Sequence, residues 1–171
     1  MSTIPAGYSL FADDLRHIDH QLESDWESLR GAHLFITGGT GFFGMWLLES
    51  LLWANARRGL GLHLSVLSRD PARFLAGRAR HLKGRGELAL IEGGLLNFRP
   101  PAFPVTHIIH AASETDPDHS ANWPSRHLDA VIDGTRRLLD LAAEHRVNAV
   151  LLTSSGAAYG QNDRAERGRW I

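Results

Sequence analysis

An α/β fold built on a parallel sheet is predicted by three observations. Short apolar runs of strand length alternate with helix-length segments, the first run ends in closely spaced glycines, and those glycines open directly into a helix. Parallel strands need crossovers, and right-handed crossovers lay helices over both faces of the sheet. With 171 residues, 43% of them hydrophobic and 22% charged, the chain is long enough for one such domain with one good core.

The elements follow in order. Residues 9–29 place Leu15, Ile18, Leu22, Trp26 and Leu29 at helical spacing, while Asp13, Asp14, Glu23, Asp25 and Glu27 fall mostly on other faces. This predicts an amphipathic helix, and an apolar face so wide is expected to dock on the domain that follows. Gly31 breaks the pattern, which makes 1–31 an N-terminal helical extension. Residues 33–37 read as the first strand, and 42–56, with Trp46, Leu47, Leu51 and Leu52, as the first crossover helix. A second strand at 62–67, a helix at 71–82 with Pro71 in its first turn, and a third strand at 88–91 complete two crossovers. A fourth strand at 105–110, a long helix at 125–146 and a fifth strand at 149–153 extend the alternation. The domain is thus expected over 32–160. Residues 161–171 are polar and carry no apolar period, so a loosely held tail is expected there.

Composition excludes several classes of function. A formal charge of −1 leaves no positive excess for a polyphosphate backbone, and the arginines over 57–85 are interrupted by glycine and apolar residues, so nucleic acid is not an expected partner. The absence of cysteine removes disulfides, thiolate metal sites and cysteine nucleophiles together, and it fits a cytoplasmic protein. No basic segment precedes an apolar run at the N-terminus, and no stretch approaches the roughly 20 apolar residues that span a bilayer, so no membrane partner is expected. The pairs His17/His20 and His107/His110 have ligand-like gaps. A spacing of three along a strand points to opposite faces, however, and no carboxylate or cysteine completes a set, so no metal is expected.

The chemistry concentrates at Thr37-Gly38-Gly39-Thr40-Gly41-Phe42-Phe43-Gly44. A strand that ends in glycines and runs straight into a helix aims backbone N–H groups, and the positive end of the helix dipole, at one point where a pyrophosphate fits. Gly38 would allow the sharp turn, Gly41 the close approach of phosphate, and Gly44 the tight seating of helix on strand. A nucleoside-triphosphatase loop needs Gly-Lys-Ser/Thr, and Gly44-Met45-Trp46 supplies neither lysine nor hydroxyl. The fold expected is therefore a Rossmann-type doubly wound sheet that binds a dinucleotide.

The segment Thr37 to Gly44 resembles the TGxxGxxG turn of the extended short-chain dehydrogenases/reductases, the NAD(P)-dependent nucleotide-sugar epimerases and dehydratases. His110-Ala111-Ala112-Ser113 is similar to that family's segment after the fourth strand, and Thr153-Ser154-Ser155-Gly156-Ala157-Ala158-Tyr159-Gly160 to its serine segment after the fifth. The resemblance covers about 32–160 and implies strand order 3-2-1-4-5, with NAD(P) as cofactor and a nucleotide sugar as substrate once a C-terminal part completes the site. The cofactor contacts it implies are Thr37, Gly38, Thr40, Gly41, Phe42, Phe43, Gly44, Ser68, Arg69, Leu95, Ala111, Ala112, Ser113 and Thr153. At the end of the second strand Ser68 and Arg69 stand where an acidic residue would select NAD, which favours NADP slightly. After the third strand Gly94, next to Leu95, stands where family members place an aspartate for the adenine amino group.

Catalysis in that family uses a serine or threonine on the sugar, a tyrosinate base, and a lysine four residues on. Ser155 matches the first role by position. Tyr159 belongs to the serine segment, is followed four residues later by Asp163, and is expected to pack rather than react. The tyrosines are Tyr8 and Tyr159 and the lysine is Lys83, so the sequence holds no Tyr-x-x-x-Lys pair. A tyrosine without its lysine keeps a pKa near 10, and this chain alone is not expected to turn over. The resemblance implies the N-terminal portion of a larger enzyme; a non-catalytic dinucleotide-binding or sensor module is the alternative. With no sixth strand, the fifth has an open apolar edge, and self-association through it or through the N-terminal helix is expected.

Overall fold

The computed structural model describes residues 12–112 and 124–159. It is a five-stranded, wholly parallel sheet in the order β3-β2-β1-β4-β5. The strands are β1 (His33–Thr37), β2 (His63–Ser68), β3 (Leu88–Glu92), β4 (His107–His110) and β5 (Ala149–Leu152). The helices are α1 (Ala12–Gln21), α2 (Phe42–Arg58), α3 (Pro71–Ala76) and α4 (Pro124–His145). Strand alternation then sorts the core into two layers. Leu34, Ile36, Leu64 and Val66 face α2, with α1 and α3 beside it, around wholly buried Leu48, Leu52 and Trp53. Phe35, Leu67 and Ile108 face the other way, against Leu138 and Leu141 of α4.

Two predicted helices are shorter in the structure. The stretch at 9–29, of which 9–11 lie outside the described residues, is helical only to Gln21 and resumes as a 3₁₀ turn at Trp26–Leu29. The carbonyl of Asp19 accepts instead from the Trp26 indole at 3.2 Å and from Arg58 at 3.2 Å, so the chain folds back and buries Trp26. The stretch at 71–82 stops at Ala76 because Gly77 follows, and it closes with a 3₁₀ turn at Arg80–Leu82. Its start is as expected, with Pro71 in the first turn and the Asp70 carboxylate accepting from Arg73 N–H at 2.9 Å. The tail at 161–171 lies outside the described residues.

The N-terminal helix does dock on the domain. Leu15 and Trp26 are buried, and the carboxylate of Asp19, 5% exposed, meets Arg57 at 3.1 Å and Arg58 at 2.6 Å on the last turn of α2. These guanidiniums also sit well at a helix C-terminus, and the Asp19 carboxylate holds Arg58 above its usual pKa. On the opposite layer the β3–β4 connection has no helix. Phe98 fills that place, its ring 5.3 Å from Phe35 and 4.9 Å under the guanidinium of Arg137, whose Nη2 donates to the Phe98 carbonyl at 2.7 Å. At the sheet's far side every β5 residue is exposed, Leu151 by 55% and Leu152 by 57%.

Imidazoles gather at the amino ends of the strands. His33 lies 2.7 Å from Ser65 Oγ, with its ring 6.2 Å from those of His63 and Phe103. Burial, with His63 nearby, pushes the His33 pKa down, and burial does the same to His110. A lowered folded pKa means that the unfolded chain binds the proton more readily. The contribution of these groups is therefore complete above about pH 6.5 and is lost as pH falls through their folded pKa values.

Two outcomes follow for stability. Replacing Asp19 by alanine should lower the unfolding free energy by about 1.5–3 kcal/mol, read as a lower urea midpoint, because it removes charged hydrogen bonds at a buried site. Urea midpoints should be level above about pH 6.5 and decline below it, and the decline should be shallower in His33→Asn.

Candidate functional site

In this strand order β1 connects through α2 to β2 on one side and is flanked by β4 on the other, so a crevice opens beyond the carboxyl ends of β1 and β4. The glycine turn occupies it. Gly38 has φ +74°, and a β-carbon there would stand 2.5 Å from the Ala112 nitrogen and closer still to the Ala111 carbonyl. Only glycine allows β1 to turn against the end of β4 in this way. Gly44 is fixed by the next contact, since a β-carbon would stand 2.5 Å from Gly39 Cα and strike the Gly38 carbonyl. The helix is thereby drawn down onto the turn.

What this leaves exposed is the start of α2. Gly41 caps the helix in an extended conformation, φ −79° and ψ −173°, and provides no side-chain cap to the first-turn N–H groups. No acidic residue lies in that turn to occupy the positive end of the dipole. Phe42 and Phe43 are 71% and 75% exposed beside it, edge to face with centroids 5.4 Å apart. Uncapped donors at the end of a 17-residue helix, flanked by apolar surface, suit an anion carried by a flat organic group.

The opposite wall is the end of β4. The strand ladder continues past its last residue, with Ala111 N–H donating to the Thr37 carbonyl at 3.1 Å and Ala112 N–H to Thr37 Oγ1 at 3.3 Å. Thr37 is itself wholly buried, and its hydroxyl meets His110 Nδ1 at 2.6 Å. Thr37 therefore supports the turn from below. His110, weighed in the sequence as a metal ligand and as the start of the segment after the fourth strand but not among the cofactor contacts, carries this arrangement. Its signal was the parallel register that sets Thr37 opposite His110, on the same face of the sheet.

The other sequence-derived positions fall around the crevice at different depths. Thr40 is half-buried within the turn, and Gly41 is exposed at the helix cap. Ser68 is buried, its hydroxyl accepting from Asp70 N–H at 3.2 Å, while Arg69 beside it is exposed. Leu95 turns into the α4 layer, where Gly134 lets it come close, and so serves packing. Thr153 N–H and Oγ1 both donate to the His110 carbonyl, at 3.1 and 3.2 Å, and Ser155 is exposed just beyond. Ser113 and the side chain of Tyr159 lie outside the described residues. Among the described residues no three His, Asp or Glu converge as metal ligands, and no helix is long and apolar enough to cross a membrane.

The turn's geometry yields a direct test. Gly38→Ala combines a left-handed backbone with a clash against the β4 end, and it should cost about 2–4 kcal/mol, measured by chemical unfolding. Gly31→Ala, also at positive φ but with open space around it, should cost only about 1 kcal/mol.

Among curated proteins, a dTDP-L-rhamnose 4-epimerase from Burkholderia thailandensis is 34% identical over 137 residues, covering 77% of this chain and 36% of the relative. A cinnamoyl-CoA reductase 1 from Petunia hybrida is 30% identical over 142 residues, covering 80% of this chain and 39% of the relative. Among solved structures, a dTDP-glucose 4,6-dehydratase from Streptomyces venezuelae with NAD and TYD bound superposes with a TM-score of 0.61 at 26% identity, over 81% of this chain and 43% of that one. The chain thus spans well under half the length of the proteins it matches. The model of the NAD dependent epimerase/dehydratase family matches residues 34–169, from the first strand through all five. The chain belongs to that family.

Proposed function

We propose that this chain is the NAD(P)-binding domain of an epimerase/dehydratase-type oxidoreductase whose substrate is a nucleotide sugar. The uncapped start of α2 beyond the Gly38 turn is the observation that carries this reading. A pyrophosphate would lie on the N–H groups at Gly41–Phe43, with Ala111 and Ala112 as the facing wall and Thr153 and Ser155 beyond it at the end of β5. When bound, the dinucleotide supplies hydride transfer. Relatives that are named as an epimerase of a nucleotide-linked sugar and a dehydratase solved with NAD support the substrate class. Because the sequence has no Tyr-x-x-x-Lys pair, the residues present bind and orient, and turnover by this chain alone is not expected. A non-catalytic dinucleotide-binding or sensor module is the second reading.

We read the cofactor as NADP slightly ahead of NAD. The carboxylate that would repel a 2′-phosphate is missing at Ser68, and exposed Arg69 follows it. The Ser68 hydroxyl, bonded to Asp70 N–H, adds little, so the preference rests on Arg69. A cytoplasmic setting agrees with the cysteine-free composition. We also infer self-association through β5, whose apolar residues are exposed at a sheet edge. The docked α1 is not needed for it.

Binding is tested by thermal unfolding with NAD or NADP. Cofactor at a hundred times its Kd should stabilise the fold by about 2.7 kcal/mol. Gly41→Asp should leave stability within about 0.5 kcal/mol, since aspartate is a good helix cap, yet abolish the cofactor effect by placing a carboxylate where the pyrophosphate lies. No stabilisation of the unmutated chain at millimolar cofactor would refute the binding reading. For the edge, light scattering should give a mass that grows with concentration and falls to the monomer's in Leu151→Lys; a monomeric mass throughout would refute it.

A further inference from the structure

We propose that His110, as the neutral imidazole protonated on Nε2, is the positioning residue that sets the two walls of the cofactor crevice. This rests on the reading of that crevice as a dinucleotide site, but the hydrogen-bond assignment behind it stands independently.

Counting protons fixes the tautomer. Thr135 Oγ1 on α4 has one proton, and it is donated to the Val131 carbonyl at 2.6 Å. Toward His110 Nε2, 3.2 Å away, Thr135 can therefore only accept, which puts the ring proton on Nε2. A neutral ring then has a bare Nδ1, which accepts from Thr37 Oγ1–H at 2.6 Å. The remaining lone pairs of Thr37 Oγ1 accept from Ala112 N–H at 3.3 Å. Every donor in the chain has an acceptor, and one imidazole ties α4 to β4, β4 to β1, and β1 to the Ala111–Ala112 backbone against which Gly38 turns.

His110 is 5% exposed, and among the described residues the side-chain groups bonded to its ring are hydroxyls rather than charges. From β1 it meets Thr37, and from α4 Thr135, whose charged neighbours Asp133 and Arg136 pair with each other at the surface. From β5, Leu152 stands opposite it in register and Thr153 bonds to its carbonyl. The other β4 imidazole, His107, is at the far end of the strand and bonded to Thr106. Burial alone favours the neutral ring. Protonation would put a donor on Nδ1, facing the Thr37 hydroxyl proton, which would have to turn away and lose its acceptor, weakening the link to the turn.

The experiment has a structural arm and a binding arm. Long-range 1H–15N NMR correlations of the intact chain should show the proton on Nε2 and Nδ1 bare; the opposite tautomer overturns the proposal whether or not any cofactor binds. In the binding arm, titration calorimetry with NAD or NADP, whichever binds tighter, should show about tenfold weaker binding for Thr37→Val and for His110→Phe, and less than about thirtyfold for the pair, because both cut one link. Multiplication of the two losses to a hundredfold would overturn it. His110→Asn, which keeps an acceptor near the Nδ1 position, should bind within about threefold of the unmutated chain. Affinity should fall as pH drops below that of His110 titration and stay level in His110→Asn; a parallel fall in both would also overturn it. If the unmutated chain binds neither dinucleotide, the cradle reading fails by itself, and the same coupling is then read from urea midpoints of the two single variants and the double.

Discussion

Where β1 turns at Gly38, its backbone passes so near the Ala111–Ala112 peptide that even one added carbon has no room. Everything at the carboxyl end of the sheet is arranged around that approach. It sets how far α2 can descend, which fixes Gly44 against Gly39. It also puts a glycine, with no side chain to close the helix, at the cap of α2. The opening of a helix is usually closed by its own cap. Here glycine stands at the cap position, and the helix carries no side-chain cap of its own.

The two layers of the fold serve this arrangement unequally. The α2 layer is deep, with α1 clamped on its outer side through Asp19 and the two arginines that end α2. The α4 layer is thinner. One connection to it is a loop held by Phe98 and Arg137, and β5 beyond it is bare. The firmer packing thus lies behind the glycine-turn end of the crevice, and the wall formed by β4 and β5 leans on fewer contacts.

Strand positions were legible in the sequence because each was a short apolar run bounded by glycine, proline or polar residues, while their order came from the family resemblance. Helix lengths were less so. At Gly77 the local breaker won over the periodicity of 71–82, and at 22–25 the fold-back came from Trp26 reaching the Asp19 carbonyl, a tertiary bond that periodicity does not encode. Nothing in the sequence singled out Asp19, because its burial depends on the two arginines 38 and 39 positions away in the chain. For the site, the glycine turn and the helix it opens were readable, whereas the hydrogen bond that holds buried Thr37 to His110 beneath the turn was not. His110 was weighed as a metal ligand by its spacing to His107 and as the start of the segment after the fourth strand, never for its own hydrogen bonds. Its partners lie on β1 and α4, and only the strand register brings them together.

The link between Thr37 and His110 joins residues 73 apart in sequence, while β1 to β2 and β2 to β3 are each closed by a single local crossover. Bringing such distant segments together costs more chain entropy than closing the near ones. The half of the sheet that ends in β3 can therefore assemble from neighbours, and the crevice exists only after β4 returns across the open edge of β1. A ligand that spans both walls binds only that completed form, so it would act on this protein as part of its fold, adding its affinity where the chain's own loop closure is dearest.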